Sequence, residues 1–162
     1  MLTQLEIKEI REHLERAQNP LFLYDNDADG LCSFLLLRRY LGRGVGVAVK
    51  SYPDLNFSYV HQVQEYRADY VFILDKPTVS IDFLEEIDKL QIPVVWIDHH
   101  RTGKADTLKR FTSLFVYNPS LRKRTGSTAP VTFFAYQLSN RKEDIWLAIM
   151  GCIADHFLPS FT

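Results

Sequence analysis

The sequence predicts an α/β fold, a mainly parallel sheet of about five strands flanked by helices on both faces. Three observations carry this. Apolar runs of strand length, rich in Val, Ile and Leu, recur at 21–24, 45–49, 70–74, 94–97 and 114–117. Segments with helical spacing of apolar residues lie between them, at 31–41, 59–66 and 81–90. Turn signals separate the two kinds of segment, so each strand is followed by a crossover rather than a hairpin.

The chain opens with an amphipathic helix, in which Leu2, Leu5, Ile7, Ile10, Leu14 and Ala17 recur between charged positions. Thr3 and Glu6 have the spacing of a capping box at its start. Asn19-Pro20 ends this helix before the first strand, and 25–30 forms a turn. The helix over 31–41 closes with Gly42, Gly44 and Gly46 before the second strand, which completes one β-α-β unit. Helix 59–66, strand 70–74, helix 81–90 and strand 94–97 repeat the pattern, and 114–117 adds a fifth strand. After Asn118-Pro119 two helices follow, over 128–138 and 143–155. The second is nearly continuous in apolar residues from Ile145 to Ala154 and is expected to be buried.

The chain has 162 residues, 46% hydrophobic and 24% charged, a globular composition without repeats or low-complexity stretches, and it reads as one domain over 1–162. No apolar stretch approaches the ~20 residues of a membrane span, and Glu6, Lys8, Glu9, Arg11 and Glu12 stand where a secretory signal needs an apolar run. The expected location is the cytoplasm. Cys32 and Cys152 lack a CxxC partner and read as buried thiols rather than zinc ligands. A net charge of −1 supplies no global field for polyanions, so nucleic acid must be met by a local patch.

Parallel strands deliver their following loops to one edge of the sheet, where ligands of open α/β folds bind. The first strand ends in Asp25-Asn26-Asp27-Ala28-Asp29-Gly30, the third in Asp75 and the fourth in Asp98-His99-His100. Carboxylates gathered there repel one another unless a cation compensates. Oxygen donors with imidazole favour Mn²⁺, with Mg²⁺ second, over a zinc site built on soft ligands. Each piece alone has a plainer reading. The 25–30 segment is also a polar turn able to cap the next helix, and Asp75 is also a loop acid beside Lys76. An EF-hand is excluded, because loop position 12 counted from Asp25 is Leu36.

With Asp27-x-Asp29-Gly30, Asp75 and Asp98-His99-His100 in this order, the sequence resembles the DHH phosphoesterases, and Gly151-Cys152-Ile153-Ala154-Asp155 is similar to that family's closing acidic motif. The Asp-led first motif and Leu158-Pro159 resemble RecJ-like exonucleases; small-substrate members usually begin that motif with a histidine, where this chain has Leu23. The resemblance implies a Rossmann-like DHH domain in which Asp29, Asp75, His99 and Asp155 hold one metal ion while Asp27 and Asp75 hold a second. It also implies a contribution of Asp25, direct or through water, and hydrolysis by a metal-bound hydroxide. His100 is the candidate for binding phosphate or protonating the leaving oxygen, its plainer role being a hydrogen bond to a carboxylate. Asp98 is expected to orient His99 or cap the loop. Arg101, Arg122 and Arg124 are candidate phosphate contacts; a solvated basic loop is the plainer account of the last two.

The function so implied is manganese-dependent hydrolysis of phosphodiester bonds, as in a nuclease on single-stranded DNA or RNA. The alternatives are a phosphodiesterase for short oligonucleotides or cyclic dinucleotides, a pyrophosphatase-like hydrolase, and a noncatalytic replication scaffold. Family members normally continue into a smaller domain that closes over the cleft, and its absence after Asp155 leads to the expectation of a truncated chain.

Overall fold

In the computed structural model, which describes residues 1–102, 105–122 and 129–160, α1 (Gln4–Arg16) begins with the expected capping box. Glu6 N–H donates to Thr3 Oγ1 at 3.2 Å and Thr3 N–H to Glu6 Oε2 at 2.7 Å, satisfying amides that a helix start leaves open. Then follow β1 (Pro20–Asp25), α2 (Ala28–Leu41), β2 (Val45–Val49), β3 (Asp54–Leu55), α3 (Val60–Glu65) and β4 (Tyr70–Leu74). β5 (Thr78–Val79), α4 (Ile81–Lys89), β6 (Val94–Ile97), α5 (Ala105–Leu108), β7 (Leu114–Tyr117), α6 (Val131–Ser139) and α7 (Ile145–Ala154) complete the order.

All five predicted strands form one sheet in the order β2-β1-β4-β6-β7, and every neighbouring pair is parallel. Alternation along the strands builds two cores. Phe22, Phe72, Leu74, Val95 and Ile97 pack with residues of α1, α2, α6 and α7 on one face. Leu21, Leu23, Val71, Ile73, Val94 and Trp96 pack with Val60, Val63, Phe83, Leu84 and Ile87 on the other. β4 and β6 are buried along their whole length, which is why they read as unbroken apolar runs.

Four details depart from the sequence expectations. α2 begins at Ala28 rather than 31, because Asp27 caps it by accepting Gly30 N–H at 2.8 Å. α6 begins at Val131, behind Pro130; Thr128, where the sequence places its start, lies outside the described residues. The pairing of β3 with β5, two residues each, and the single turn of α5 are too short for periodicity to reveal. α7 is buried on one face only: Leu147, Ala148, Gly151 and Cys152 point inward, whereas Trp146, Ile149, Met150 and Ile153 are exposed. An apolar composition on all sides carries no moment, so it could not say which face is covered.

The strand order reverses between β1 and β4. From β1 the chain returns through α2 on one face, and from β4 it reaches α4 on the other. Such a reversal opens a crevice at the carboxyl edge of the sheet.

Candidate metal centre

Asp25, Asp27 and Asp29 leave β1 at this crevice. Gly30 is required there, since a Cβ would lie 2.2 Å from the Asp25 carbonyl oxygen. Asp29 is almost fully buried and held from a distant part of the chain. Its Oδ1 accepts Thr132 N–H and Thr132 O–H, each at 2.6 Å, and its Oδ2 accepts Val131 N–H at 3.0 Å. Pro130 offers no side-chain cap, so Asp29 serves the open amides of α6 in its place. Gly151 lets Thr132 sit there: a Cβ on Gly151 would stand 2.2 Å from Thr132 Oγ1. Burial raises the Asp29 carboxyl above its ordinary pKa, against the hydrogen bonds from Thr132 and Val131 and the nearby His99.

Asp75 ends β4 in the left-handed conformation, at φ 61°, which a short polar side chain tolerates. It is 1% exposed. Its Oδ1 has no hydrogen-bond partner, although His99 Nε2 stands 3.2 Å away. Burial, then the charges of Asp29 and Asp27, hold its pKa well above the usual carboxylate range. Lys76 does not neutralise Asp75. Its Nζ turns to Asp25 Oδ1 at 2.8 Å and to the Ser51 carbonyl at 2.9 Å.

At the end of β6, His99 is mostly buried among three carboxylates, with Nε2 3.7 Å from Asp29 Oδ2 and Nδ1 3.8 Å from Asp155 Oδ2 in addition to the Asp75 contact. Of the two roles expected for Asp98, orienting His99 or capping the loop, it takes the second, and the ring it orients is His100. Asp98 Oδ1 accepts from His100 Nδ1 at 2.7 Å, and its Oδ2 accepts His100 N–H at 3.1 Å. That bond raises the His100 pKa and leaves Nε2 as the nitrogen open to a ligand. Asn118, at the end of β7, holds the same loop by donating to Asp98 Oδ2 at 3.2 Å and to the His100 carbonyl at 2.8 Å.

All seven predicted acids and histidines therefore converge. Three sets can each offer donor atoms lying within 4.8 Å of one another: Asp29 with His99 and Asp155, Asp75 with His99 and His100, and Asp25 with Asp27 and Asp75. Asp75 and His99 each belong to two of them. A buried carboxylate oxygen without a partner, crowded by two further acids, is what a divalent cation would satisfy, and oxygen donors with imidazole suit such an ion.

The basic candidates are not gathered in. Arg101 is exposed, Arg122 is bound through Nη2 to Glu6 of α1, and Arg124 lies outside the described residues. Thr132 and Asn118 escaped sequence reasoning. Asn118 had a usable signal, its position at a strand end; Thr132 had none, being 103 residues from Asp29 in sequence. Both cysteines are free and buried, and burial pushes the Cys152 thiol up to about 12. An apolar cleft of about 840 Å³ floored by Trp96, Phe111, Leu114 and Val116 has Asp98 and Asn118 on its wall.

The family model described as "DHH family, N-terminal domain" matches residues 21–156, the span that contains every acid and histidine of this cluster. The chain belongs to the DHH family. Two crystal structures resemble this DHH domain in fold. Exonuclease RecJ bound to manganese gives a TM-score of 0.70 at 23% identity, over 92% of this chain and 43% of its own. RecJ in complex with Mn²⁺ from Thermus thermophilus gives 0.67 at 23% identity, over 94% of this chain and 24% of its own. The DHH domain thus spans less than half the length of either. Comparison with curated proteins by sequence gives no match. Among the described residues no helix is long and apolar enough to cross a membrane.

Proposed function

We propose that this DHH domain hydrolyses phosphodiester bonds in single-stranded nucleic acid, as a RecJ-like nuclease using two divalent ions, with Mn²⁺ preferred to Mg²⁺. The observation that carries the reading is the Asp75 carboxylate, buried, unpartnered at Oδ1 and shared by two donor sets. Asp29, Asp75, His99 and Asp155 would hold one ion, and Asp27 and Asp75 would hold the other. When bound, the ions activate water and neutralise charge on the phosphoryl oxygens.

The remaining work falls to the protein's own groups. Thr132 and the α6 amides fix Asp29, so its carboxylate keeps one orientation. Asp98, itself held by Asn118, keeps the His100 Nδ1 proton in place, so that protonated His100 presents Nε2–H to the phosphate or the leaving oxygen. Arg101 meets the flanking phosphate, and Arg124 is a second candidate for that contact. Arg122 serves it only on leaving Glu6. The apolar cleft beside Asp98 accommodates a nucleobase next to the scissile bond.

The test is digestion of end-labelled single strands with Mn²⁺, Mg²⁺ or EDTA, beside cyclic dinucleotides and pyrophosphate. Mn²⁺-dependent shortening of the strand, lost in Asp75→Ala with the fold retained, is the expected result. Hydrolysis confined to dinucleotides or pyrophosphate would assign the site to small substrates, and inactivity with every ion would make the domain a scaffold.

A further inference from the structure

We infer that Lys76 is a positioning residue of the metal centre, its buried ammonium standing against Asp25 as a built-in cation and withholding that carboxylate from the ion held by Asp27 and Asp75. The inference rests on the two-ion reading above.

Lys76 is 0% exposed, an unusual place for a lysine. Of the three donors of its ammonium, two are hydrogen-bonded to the protein. One meets Asp25 Oδ1 at 2.8 Å and one the Ser51 carbonyl at 2.9 Å, and Nζ stands over the Tyr52 ring, 5.5 Å from its centre. Asp75, in the left-handed conformation, offers its carboxylate to the donor sets, while the next side chain, Lys76, turns to Asp25. Trp96 Nε1 fixes the Lys76 backbone by donating to its carbonyl at 3.0 Å. One residue thus ties the ends of β1, β4 and β6 to the loop after β2.

A metal ion that drew Asp25 Oδ1 away from Lys76 would strip a buried ammonium of its counter-charge, and breaking such a pair is strongly unfavourable. Asp25 shares a donor set with Asp27 and Asp75, but its charge is already committed to Lys76. That leaves two protein ligands for one ion against four for the other. The two ions therefore bind with unequal affinity, and the Lys76–Asp25 pair sets the difference.

The experiment is Mn²⁺ titration of the whole chain, read from the electron paramagnetic resonance signal of free Mn²⁺, for the wild type, Lys76→Met and the double variant Lys76→Met/Asp25→Asn. The wild type is expected to bind two ions with affinities about tenfold or more apart. Lys76→Met frees the Asp25 charge and raises the weaker affinity by about tenfold or more, and the double variant restores it to within about threefold of wild type. A smaller rise in Lys76→Met, or a larger loss in the double variant, overturns the inference. Absence of any Mn²⁺ binding by the wild type overturns the two-ion reading itself. A measurement on the unaltered chain covers variants that fail to fold: amine acetylation mapped by peptide mass. Lys76 should stay unreacted beside Lys8, whose side chain is 75% exposed, both in EDTA and in saturating Mn²⁺. Lys76 labelled as fast as Lys8 once Mn²⁺ is added shows that the ion has taken Asp25, and the inference fails.

Discussion

Replacing Asp75 with Asn should raise the stability of the metal-free chain and lower that of the metal-loaded one. Asn keeps the shape but removes a charge that burial, Asp29 and Asp27 all oppose. Every pKa unit by which they raise Asp75 withdraws about 1.4 kcal/mol from the metal-free fold at neutral pH, or about 3–6 °C in Tm for a domain of this size. The sign in pH follows from linkage. The folded chain keeps a proton on Asp75 that the unfolded chain has released. Stability without metal therefore falls as pH rises from the ordinary aspartate value through the raised one, and Asp29 adds a slope of the same sign. Asp75→Asn flattens that fall. With Mn²⁺ at about 100 times its dissociation constant, binding adds about 2.7 kcal/mol to the wild type, which the variant forgoes. The assay is thermal unfolding followed by circular dichroism, in EDTA and in Mn²⁺, from about pH 5 to about pH 8, a range that stays above the titration of Glu6 and Asp144. Melting of Asp75→Asn below the wild type in EDTA, or a fall in wild-type stability with pH no steeper than that of the variant, refutes the reasoning; comparing the two cancels His13, whose lowered pKa adds a slope of opposite sign.

Gly151→Ala drives a methyl into Thr132 and costs about 2 kcal/mol by overpacking, lowering Tm by about 4–8 °C; a shift under about 1 °C counts against the contact. Asp98→Asn removes the main cause of the raised His100 pKa, so its imidazole, followed by NMR, should lose its proton at lower pH than in the wild type. The stability that this proton adds is present at low pH and is lost as pH rises through the folded-state value, so the variant loses it earlier. Iodoacetamide at about pH 8 should leave Cys32 and Cys152 of the folded chain unmodified and label both after unfolding, because burial raises both thiols.

The sheet is legible in the sequence because its central strands are buried on both faces, so each appears as a continuous apolar run, and parallel pairing follows from the helices between them. The acids and histidines are legible for a related reason: a strand end fixes which edge a residue reaches. What closes the site around them is not. Thr132 reaches Asp29 across 103 positions and Lys76 reaches Asp25 across 51, and no local pattern encodes such pairings. The order of the strands, which creates the crevice, is likewise a property of the packed sheet. Adjacency offers Asp98 both as an orienter of His99 and as a loop cap; it caps the loop, and which ring folds back on the carboxylate is set by packing. The 25–30 segment reads equally as cap or ligand turn, and Asp27 serves as the cap while remaining within reach of Asp25 and Asp75.

The reversal of strand order has a mechanical consequence. Asp29 belongs to α2 and Asp155 to the end of α7, in the layer of α2, α6 and α7, whereas Asp75 and His99 follow the central strands β4 and β6. The centre lies where the sheet meets the helical layer packed on it. A small slip of that helical layer over the sheet would change the spacing between its two halves without disturbing either one. Repacking around Cys32 or Cys152, buried in that layer, is therefore a lever on the geometry of the site.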